Sequence, residues 1–460
     1  MVLSFKNVHF IGIGGIGMSG VAEMLQAEGV KVQGSNDKEN DNTKRLCALG
    51  VDVMIGHDSN NLKDADCVVI STATVNNIEV TAAKNKNIPV MHRAEMLAEL
   101  LKLKQSICVA GTHGKTTTSS LIACMLSEAK MQPSFIIGGI LNAYKSNAHV
   151  GSGDWIVAEA DESDGSFLRL PSSISVVTNI DPEHLDYYKT FENEKQAFLT
   201  FLNQTTGFNV VCLDPPVIKE ILPCVQGKEV ISYGLDSSAN VMACNIQTTF
   251  NGTQFDVQVK LNQDERIIKD VILNMLGMHN IQNALAAVAV AVRLGISDDV
   301  IKQTLASFQG VQRRLSLRGM TKQNVPIYDD YAHHPNEIRA SLAALKAQTK
   351  GRLIAVWQPH RWTRFSNLYQ DFLQAFDAAD MVGVTDVYAA GESPLQTVSV
   401  EAFVMEMQKN KPAFKTSVET LAEDLKDKIE PNDCVVCLGA GSISGAAREL
   451  PLLLGGKKYE

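Results

Sequence analysis

Residues Val109 to Thr117 read VAGTHGKTT, and no other stretch limits the fold of this chain so tightly. An apolar run (Ile107, Cys108, Val109, Ala110) leads into them and a segment with helical amphipathicity leads out. Strand, glycine-rich turn and helix in that order form a phosphate cradle from backbone N–H groups at a helix N-terminus. The usual P-loop has a glycine five positions before Gly114, where this chain has Val109, so this is the shorter G-x-x-G-K-T form anchored at Gly111. Gly111, Thr112, His113, Gly114, Lys115, Thr116 and Thr117 are its candidate nucleotide contacts. Lys115 is expected to reach the β- and γ-phosphates, and the Thr116 hydroxyl to face a Mg²⁺ ion. The chain is expected to handle a nucleoside triphosphate.

At 460 residues the chain exceeds what one hydrophobic core usually supports, so two or three domains are expected. A net charge of −9 argues against a nucleic-acid or anionic-membrane surface. The nine cysteines follow no disulfide framework, as in a reducing compartment. The one C-x-x-C pair, Cys434 and Cys437, lies in a strand-like run where positions i and i+3 face opposite sides, so both read as core. No apolar run is long enough to span a bilayer, and the N-terminus does not read as a secretory signal. A cytoplasmic protein is the expectation.

Three α/β units in a row are expected. Residues 1–104 alternate strand-like segments (8–13, 30–34, 51–55, 67–71) with periodic ones such as 18–27, a βα repeat that calls for a parallel sheet. Residues 105–314 hold the phosphate loop, strands at 155–158 and 175–179, and an alanine-rich helix at 280–294. The alternation over 241–261 suggests a small antiparallel addition. Residues 315–460 again alternate strands (353–356, 381–384, 434–438) with helical segments.

Other clusters follow strand-like runs, where a parallel sheet places its ligands. Gly12-Ile13-Gly14-Gly15-Ile16-Gly17 is a dinucleotide-type turn. It fits a nicotinamide cofactor with Asp37 as the ribose partner, another diphosphate such as a UDP-sugar, or a tight structural turn. Glu159, at a strand end opposite the phosphate loop, is a better Mg²⁺ ligand candidate than the carboxylates after it. His184 gains weight from the convergence of phosphate-site loops. Asn280 and Asn283 open the alanine-rich helix, either as its polar start or as partners of an adenine edge. Asp329 to His334 and Gln358 to Arg364 follow extended runs, and Arg361 and Arg364 suit a carboxylate or a phosphoryl group.

HFIGIGGIGMSG, GTHGKTT, EADESDGSF, TNIDPEHLDYY, GMHNIQNALAA, DDYAHHPNE and QPHRWTR, in this order, resemble the Mur ligases from about His9 to Gly445. The resemblance implies a Rossmann-like UDP-substrate domain, a central P-loop ATPase domain and a Rossmann-like C-terminal domain for the amino acid. It implies an ATP-dependent ligase joining L-alanine to the lactyl carboxylate of UDP-N-acetylmuramate through an acyl phosphate, as a monomer or homodimer, in peptidoglycan precursor synthesis. It turns the first glycine cluster to a UDP-sugar, with Gly14, Gly15, Ile16, Gly17, Ser35, Asn36 and Ser71 as its contacts. Thr116, Glu159 and His184 become ligands of two Mg²⁺ ions, and Asn280, Asn283, Arg314 and Asp330 complete the ATP site. Tyr331, His333, Arg361 and Arg364 receive L-alanine and the transferred phosphate, with His333 as an amine-side base or orienting group. Two positions depart from the family pattern: Asn36 replaces the usual aspartate of G-S-D, and Ser442 replaces that of GAGD. Lys195 lies near the place of a carbamylated lysine found in some relatives, but out of register. A related ligase for a whole murein peptide, an NAD-dependent oxidoreductase and a non-catalytic nucleotide switch are the rival readings.

Overall fold

A computed structural model describes residues 3, 5–71, 74, 76–249, 252–261 and 264–459. Residues 1–247, 254–274 and 280–309 form one compact unit, and residues 310–460, with 248–253 and 275–279, a second.

The N-terminal sheet holds β1 (Asn7–Ile11), β2 (Lys31–Asn36), β3 (Asp52–Ile55), β4 (Cys67–Ile70) and β5 (Val90–His92), in the order β3-β2-β1-β4-β5. Its pairings are parallel. β1 is buried along its whole length because the sheet is covered on both faces. Val8 and Phe10 join a cluster with Met18, Leu25 and Leu97, whereas Ile11 packs with Leu62, Val68 and Val80. Strand order reverses beside β1, so the Gly12–Gly17 turn opens at the switch point of the sheet.

The central sheet is built from β6 (Gln105–Ala110), β7 (Ser134–Leu141), β8 (Ser146–His149), β9 (Trp155–Glu159), β10 (Ile174–Val177), β11 (Phe208–Cys212), β12 (Glu229–Gly234), β13 (Val241–Thr249), β14 (Gly252–Leu261) and β15 (Asp264–Leu273). Their order is β15-β14-β13-β12-β11-β10-β6-β9-β7-β8. The stretch expected as a small antiparallel addition extends the main sheet: β13 pairs parallel with β12 at Tyr233↔Val241 and Gly234↔Met242, and β14 returns beside it in the opposite direction, with Lys260 N–H on the Asn240 carbonyl and Asn245 Nδ2 on Asp256. Residues 250 and 251 of that stretch lie outside the described residues. The alanine-rich helix spans Met278–Arg293 and is buried over most of its length, its small side chains allowing close approach to the sheet. One cluster runs from Val8 of the first sheet and Leu97 on the helix after β5 to Ile136 and Ala158 of the second sheet and Phe167 beside it, so these two sheets share a core.

The second unit carries β16 (Ser316–Met320), β17 (Pro326–Asp330), β18 (Leu353–Trp357), β19 (Met381–Val384), β20 (Ala413–Lys415), β21 (Cys434–Leu438) and β22 (Lys457–Lys458), in the order β20-β19-β18-β21-β17-β16-β22. Cys434 packs with Trp357 and Val436 in one cluster, and Cys437 with Ile354 and Val356 in another, so the two cysteines serve opposite faces of β21.

Candidate active site

The first glycine turn is held from behind by β2. Gly12, at φ +77°, and Ile13 donate their N–H groups to the Ser35 carbonyl at 2.8 and 3.0 Å. Gly14 donates to Asn36 Oδ1 at 3.0 Å, while Asn36 Nδ2 donates to the Lys38 carbonyl at 2.7 Å. The departure at Asn36 thus has a local use, because an aspartate has no donor for that carbonyl. Ser35 corrects the expectation of a ligand contact. Its buried hydroxyl donates to Glu79 Oε2 at 2.6 Å and meets His57 Nδ1 at 2.8 Å, because neighbours on a strand face opposite sides and Asn36 takes the open one. Hydrogen bonds from His9, Ser35 and Asn61 overcome the effect of burial and hold the Glu79 carboxyl down at about 2.

The phosphate loop is clamped by the strand end after β10. Asn179 accepts from Thr112 N–H through its carbonyl and from His113 N–H through Oδ1, and Thr178 Oγ1 donates to the His113 carbonyl at 2.6 Å. Gly114 sits at φ +82°, and a Cβ there would lie 2.4 Å from Asn283 Oδ1. Asn283 also accepts from Thr118 Oγ1 and donates to Asn280 Oδ1, both at 3.2 Å. This corrects its reading as an adenine partner: the amide is buried and engaged beneath the loop.

Lys115 Nζ donates to the Gly111 and Thr112 carbonyls at 2.6 and 3.1 Å and lies 2.9 Å from Glu162 Oε1. Burial works against its charge, but Glu162 and Glu159 outweigh that and hold the ammonium above its ordinary range. Burial lifts the Glu162 carboxyl to about 7 against the pull of Lys115, and Oε2 is buried without a hydrogen-bond partner. The Thr116 hydroxyl donates to Glu159, whose Oε2 also accepts from Gly138 N–H at 2.7 Å. His184, at φ +56°, stands 3.7 Å from Glu162 Oε1 and 3.9 Å from Glu183. The expected metal trio therefore divides, with Thr116 and Glu159 in contact and His184 beside Glu162. Among the described residues no group of three or more His, Cys, Asp or Glu side chains is arranged to hold a metal ion.

A cavity of about 600 Å³ joins these two loops. Gly14, Gly15, Ile16, Gly17, Asn36 and Ser71 line it at one end, and Lys115, Glu159 and Asp161 at the other, with Ile136 to Gly138 of β7 and Arg93 along its wall. Arg93 Nη2 lies 3.5 Å from Asp161 Oδ2.

In the second unit, Arg313 and Arg314 both approach the Tyr331 ring, at 4.8 and 5.4 Å from its centroid. His333 Nδ1 lies 3.0 Å from the Tyr331 carbonyl, and its ring is 5.8 Å from that of His360. Burial, together with the charges of Arg364 and Arg361 and the neighbouring His333, brings His360 down to about 3. Neutral His360 presents Nδ1 to Arg364 Nη1 at 3.2 Å and stacks on Tyr388. Arg361 precedes the short helix Trp362–Asn367 at φ +67°. Asp330 faces inward rather than towards a ligand, accepting N–H bonds from Leu315 at 2.6 Å and Ala332 at 2.8 Å, and burial raises its carboxyl to about 6. At the second departure, Gln358 Nε2 donates to Ser442 Oγ at 3.1 Å and Gln358 Oε1 accepts from Ile443 N–H at 3.0 Å, tying the 439–442 loop to β18.

Three family models match in succession: the Mur ligase family catalytic domain over residues 7–105, the Mur ligase middle domain over 109–291 and the Mur ligase glutamate ligase domain over 313–441. The chain belongs to the Mur ligase family. Among the relatives of this Mur ligase is a UDP-N-acetylmuramate–L-alanine ligase of Rhodospirillum centenum, 48% identical across 98% of this chain and 95% of that protein. One from Brucella anthropi is 47% identical across 98% of both. The crystal structure of a UDP-N-acetylmuramate–alanine ligase from Thermotoga maritima superposes with a TM-score of 0.81, at 27% identity, covering 97% of this chain and 98% of that one. A murein peptide ligase from Psychrobacter arcticus shares the fold at 22% identity and a TM-score of 0.72, covering 98% of this chain and 99% of that one.

In this Mur ligase Lys195 bonds to Glu220 at 2.8 Å and pairs with Glu192 at 3.2 Å, which occupies its ammonium. Sequence reasoning ranks Glu162 below Glu159 as an ion ligand and gives Thr178 and Arg93 no role. Glu162 had one available signal, its place three residues after Glu159 in the same strand-end loop. Arg93, on a helix that follows β5 in the N-terminal sheet, had none.

Proposed function

We propose that this Mur ligase joins L-alanine to the lactyl carboxylate of UDP-N-acetylmuramate, with ATP converted to ADP and phosphate, in cytoplasmic peptidoglycan precursor synthesis. One observation carries the reading: a single cavity is lined at one end by a diphosphate-type glycine turn and at the other by the phosphate-loop lysine and a carboxylate. A sugar nucleotide spanning it brings its carboxylate to a nucleoside triphosphate. The assignment to L-alanine follows the names of the relatives at 46–48% identity. Residues 1–104 form the UDP-substrate domain in this proposal, 105–314 the ATP domain and 315–460 the amino-acid domain. The acidic chain takes no nucleic acid or membrane as a partner.

The first step is attack by a lactyl carboxylate oxygen on the γ-phosphorus, breaking the bond to ADP and leaving an acyl phosphate. Phosphoryl transfer calls for positioning and charge neutralisation more than covalent help. Lys115 meets the β- and γ-oxygens when the phosphates replace Glu162 as its partner. The P-loop N–H groups cradle the phosphates, and Arg93 balances the charge between the loops. The neutral α-amine of L-alanine then attacks the acyl carbon; phosphate leaves, the amide forms and His333 takes the amine proton. Arg361 and Arg364 hold the alanine carboxylate and the transferred phosphate, Arg364 being aimed by neutral His360.

The touching hard oxygens of Thr116 and Glu159 fit Mg²⁺, which is typically held by one or two carboxylates plus substrate phosphates rather than by an all-protein cage. When bound by Thr116 and Glu159, Mg²⁺ would supply charge neutralisation for the phosphoryl group, and His184 beside Glu162 would be the place for a second ion. Phosphate release with each of ATP, UDP-N-acetylmuramate and L-alanine omitted in turn tests the reading. Release is expected only with all three, and it should vanish in Lys115→Ala; preference for a murein tripeptide over L-alanine overturns the choice of amine.

A further inference from the structure

One wall of the cavity is a hairpin that touches both of its ends. β7 is fixed to the phosphate-transfer side by parallel pairing with β9 (Phe135↔Val157, Ile136↔Ala158) and by the bond from Gly138 N–H to Glu159. Its partner β8, antiparallel at Ile136↔Ala148, carries Asn147 next in sequence to that pair. Asn147 is fully buried, and its amide points out of the central sheet to the other domain. Nδ2 donates to the Ile16 carbonyl at 2.7 Å, and Ile16 opens the helix that follows the diphosphate turn. Oδ1 accepts from Arg45 Nη2 at 2.7 Å; Arg45 also donates to Ser146 Oγ at 2.8 Å and pairs with Glu23 on that same helix at 3.3 Å. Gly20, one turn on, leaves the room for this contact: a Cβ there would stand 3.0 Å from Asn147 Nδ2 and 3.3 Å from Ile136 Cγ2.

We infer that Asn147 is a positioning residue that sets the distance between the diphosphate turn and the phosphate-transfer end of the cavity. The inference rests on the proposed reading of the cavity as the sugar-nucleotide site. A ligand held at both ends needs them correctly spaced, and a shift of about 1 Å is enough to disturb a reaction geometry. Arg93 reaches Asp161 across that gap only at 3.5 Å. The hairpin spans it, with Gly138 at Glu159 and Asn147 at Ile16 on adjacent strands. A nucleotide held only by the phosphate loop does not sense the spacing, so loosening it is selective for the sugar substrate.

Two variants approach the contact from opposite sides. Asn147→Asp keeps an acceptor for Arg45 but loses the donor to Ile16, whose carbonyl retains the Ser19 hydroxyl at 3.1 Å. Gly20→Ala adds a good helix former yet pushes the helix from the hairpin, so it keeps the test open where the buried aspartate prevents folding. Each should raise the dissociation constant and KM for UDP-N-acetylmuramate about tenfold with those for ATP unchanged within about twofold. Equal shifts for both substrates, or no shift, overturn the inference. Wild-type enzyme that binds ATP but no UDP-sugar overturns instead the reading of the cavity on which it rests.

Discussion

The Thr116 hydroxyl donates to both carboxylate oxygens of Glu159, at 3.1 and 3.0 Å, joining the first turn of the phosphate-loop helix to the end of a neighbouring strand. The pair arises because β6 and β9 run parallel and adjacent, with Val109 opposite Glu159. Glu159→Gln keeps the shape and an acceptor for the Thr116 hydroxyl but removes the charge. It is expected to lower kcat by about 10²- to 10³-fold, the usual cost of losing one charge-stabilising group, and to raise the Mg²⁺ concentration needed for half-maximal rate. Phosphate release against Mg²⁺ measures both.

Asn36 holds the Gly14 N–H on one side and the Lys38 carbonyl on the other. Asn36→Ala should raise KM for UDP-N-acetylmuramate about five- to tenfold and leave kcat within about twofold, because the turn loses its brace while the phosphate loop is untouched. Steady-state kinetics with the sugar nucleotide varied separates the two constants.

Gly114 is required twice, by its left-handed backbone and by Asn283 pressed against it. The backbone alone costs an alanine about 1–2 kcal/mol, before any adjustment of Asn283. Gly114→Ala should weaken ATP binding by at least about tenfold, read by calorimetry, with UDP-sugar affinity kept.

Burial pushes the Glu194 carboxyl up to about 8, with Glu162, Glu183 and Asp181 adding to it against the N–H bond from Glu183. The folded chain therefore keeps a proton that the unfolded chain has lost above about pH 4.5. More protons bound in the folded state means that stability falls as pH rises from about 4.5 to about 8. Glu194→Gln removes this dependence. It should unfold at the same temperature as wild type near pH 4.5, and be more stable by on the order of 2 kcal/mol above pH 8, by calorimetry across that range.

How far the sequence reached is clear from adjacent residues. The glycine loops declare themselves because backbone N–H cradles need glycine at set offsets from a strand, and Gly12, Gly111 and Gly114 do take positive φ. Asn36 and Ser35 stand side by side in the same motif, yet one lines the cavity and the other is buried against Glu79. Period-2 alternation says that the two face opposite sides, but not which side is open.

The order of loops and the chemistry they serve were set by the sequence alone, since each motif is local and carries its own strand-turn-helix geometry. Tertiary structure alone decided the partners: Glu162 for Lys115, Asn283 under Gly114, and Asn147 against the helix of the first domain. These contacts join residues from 47 to 169 positions apart. Such pairings depend on the order in which strands enter a sheet and on how two sheets share a core, and no local pattern of residues encodes either.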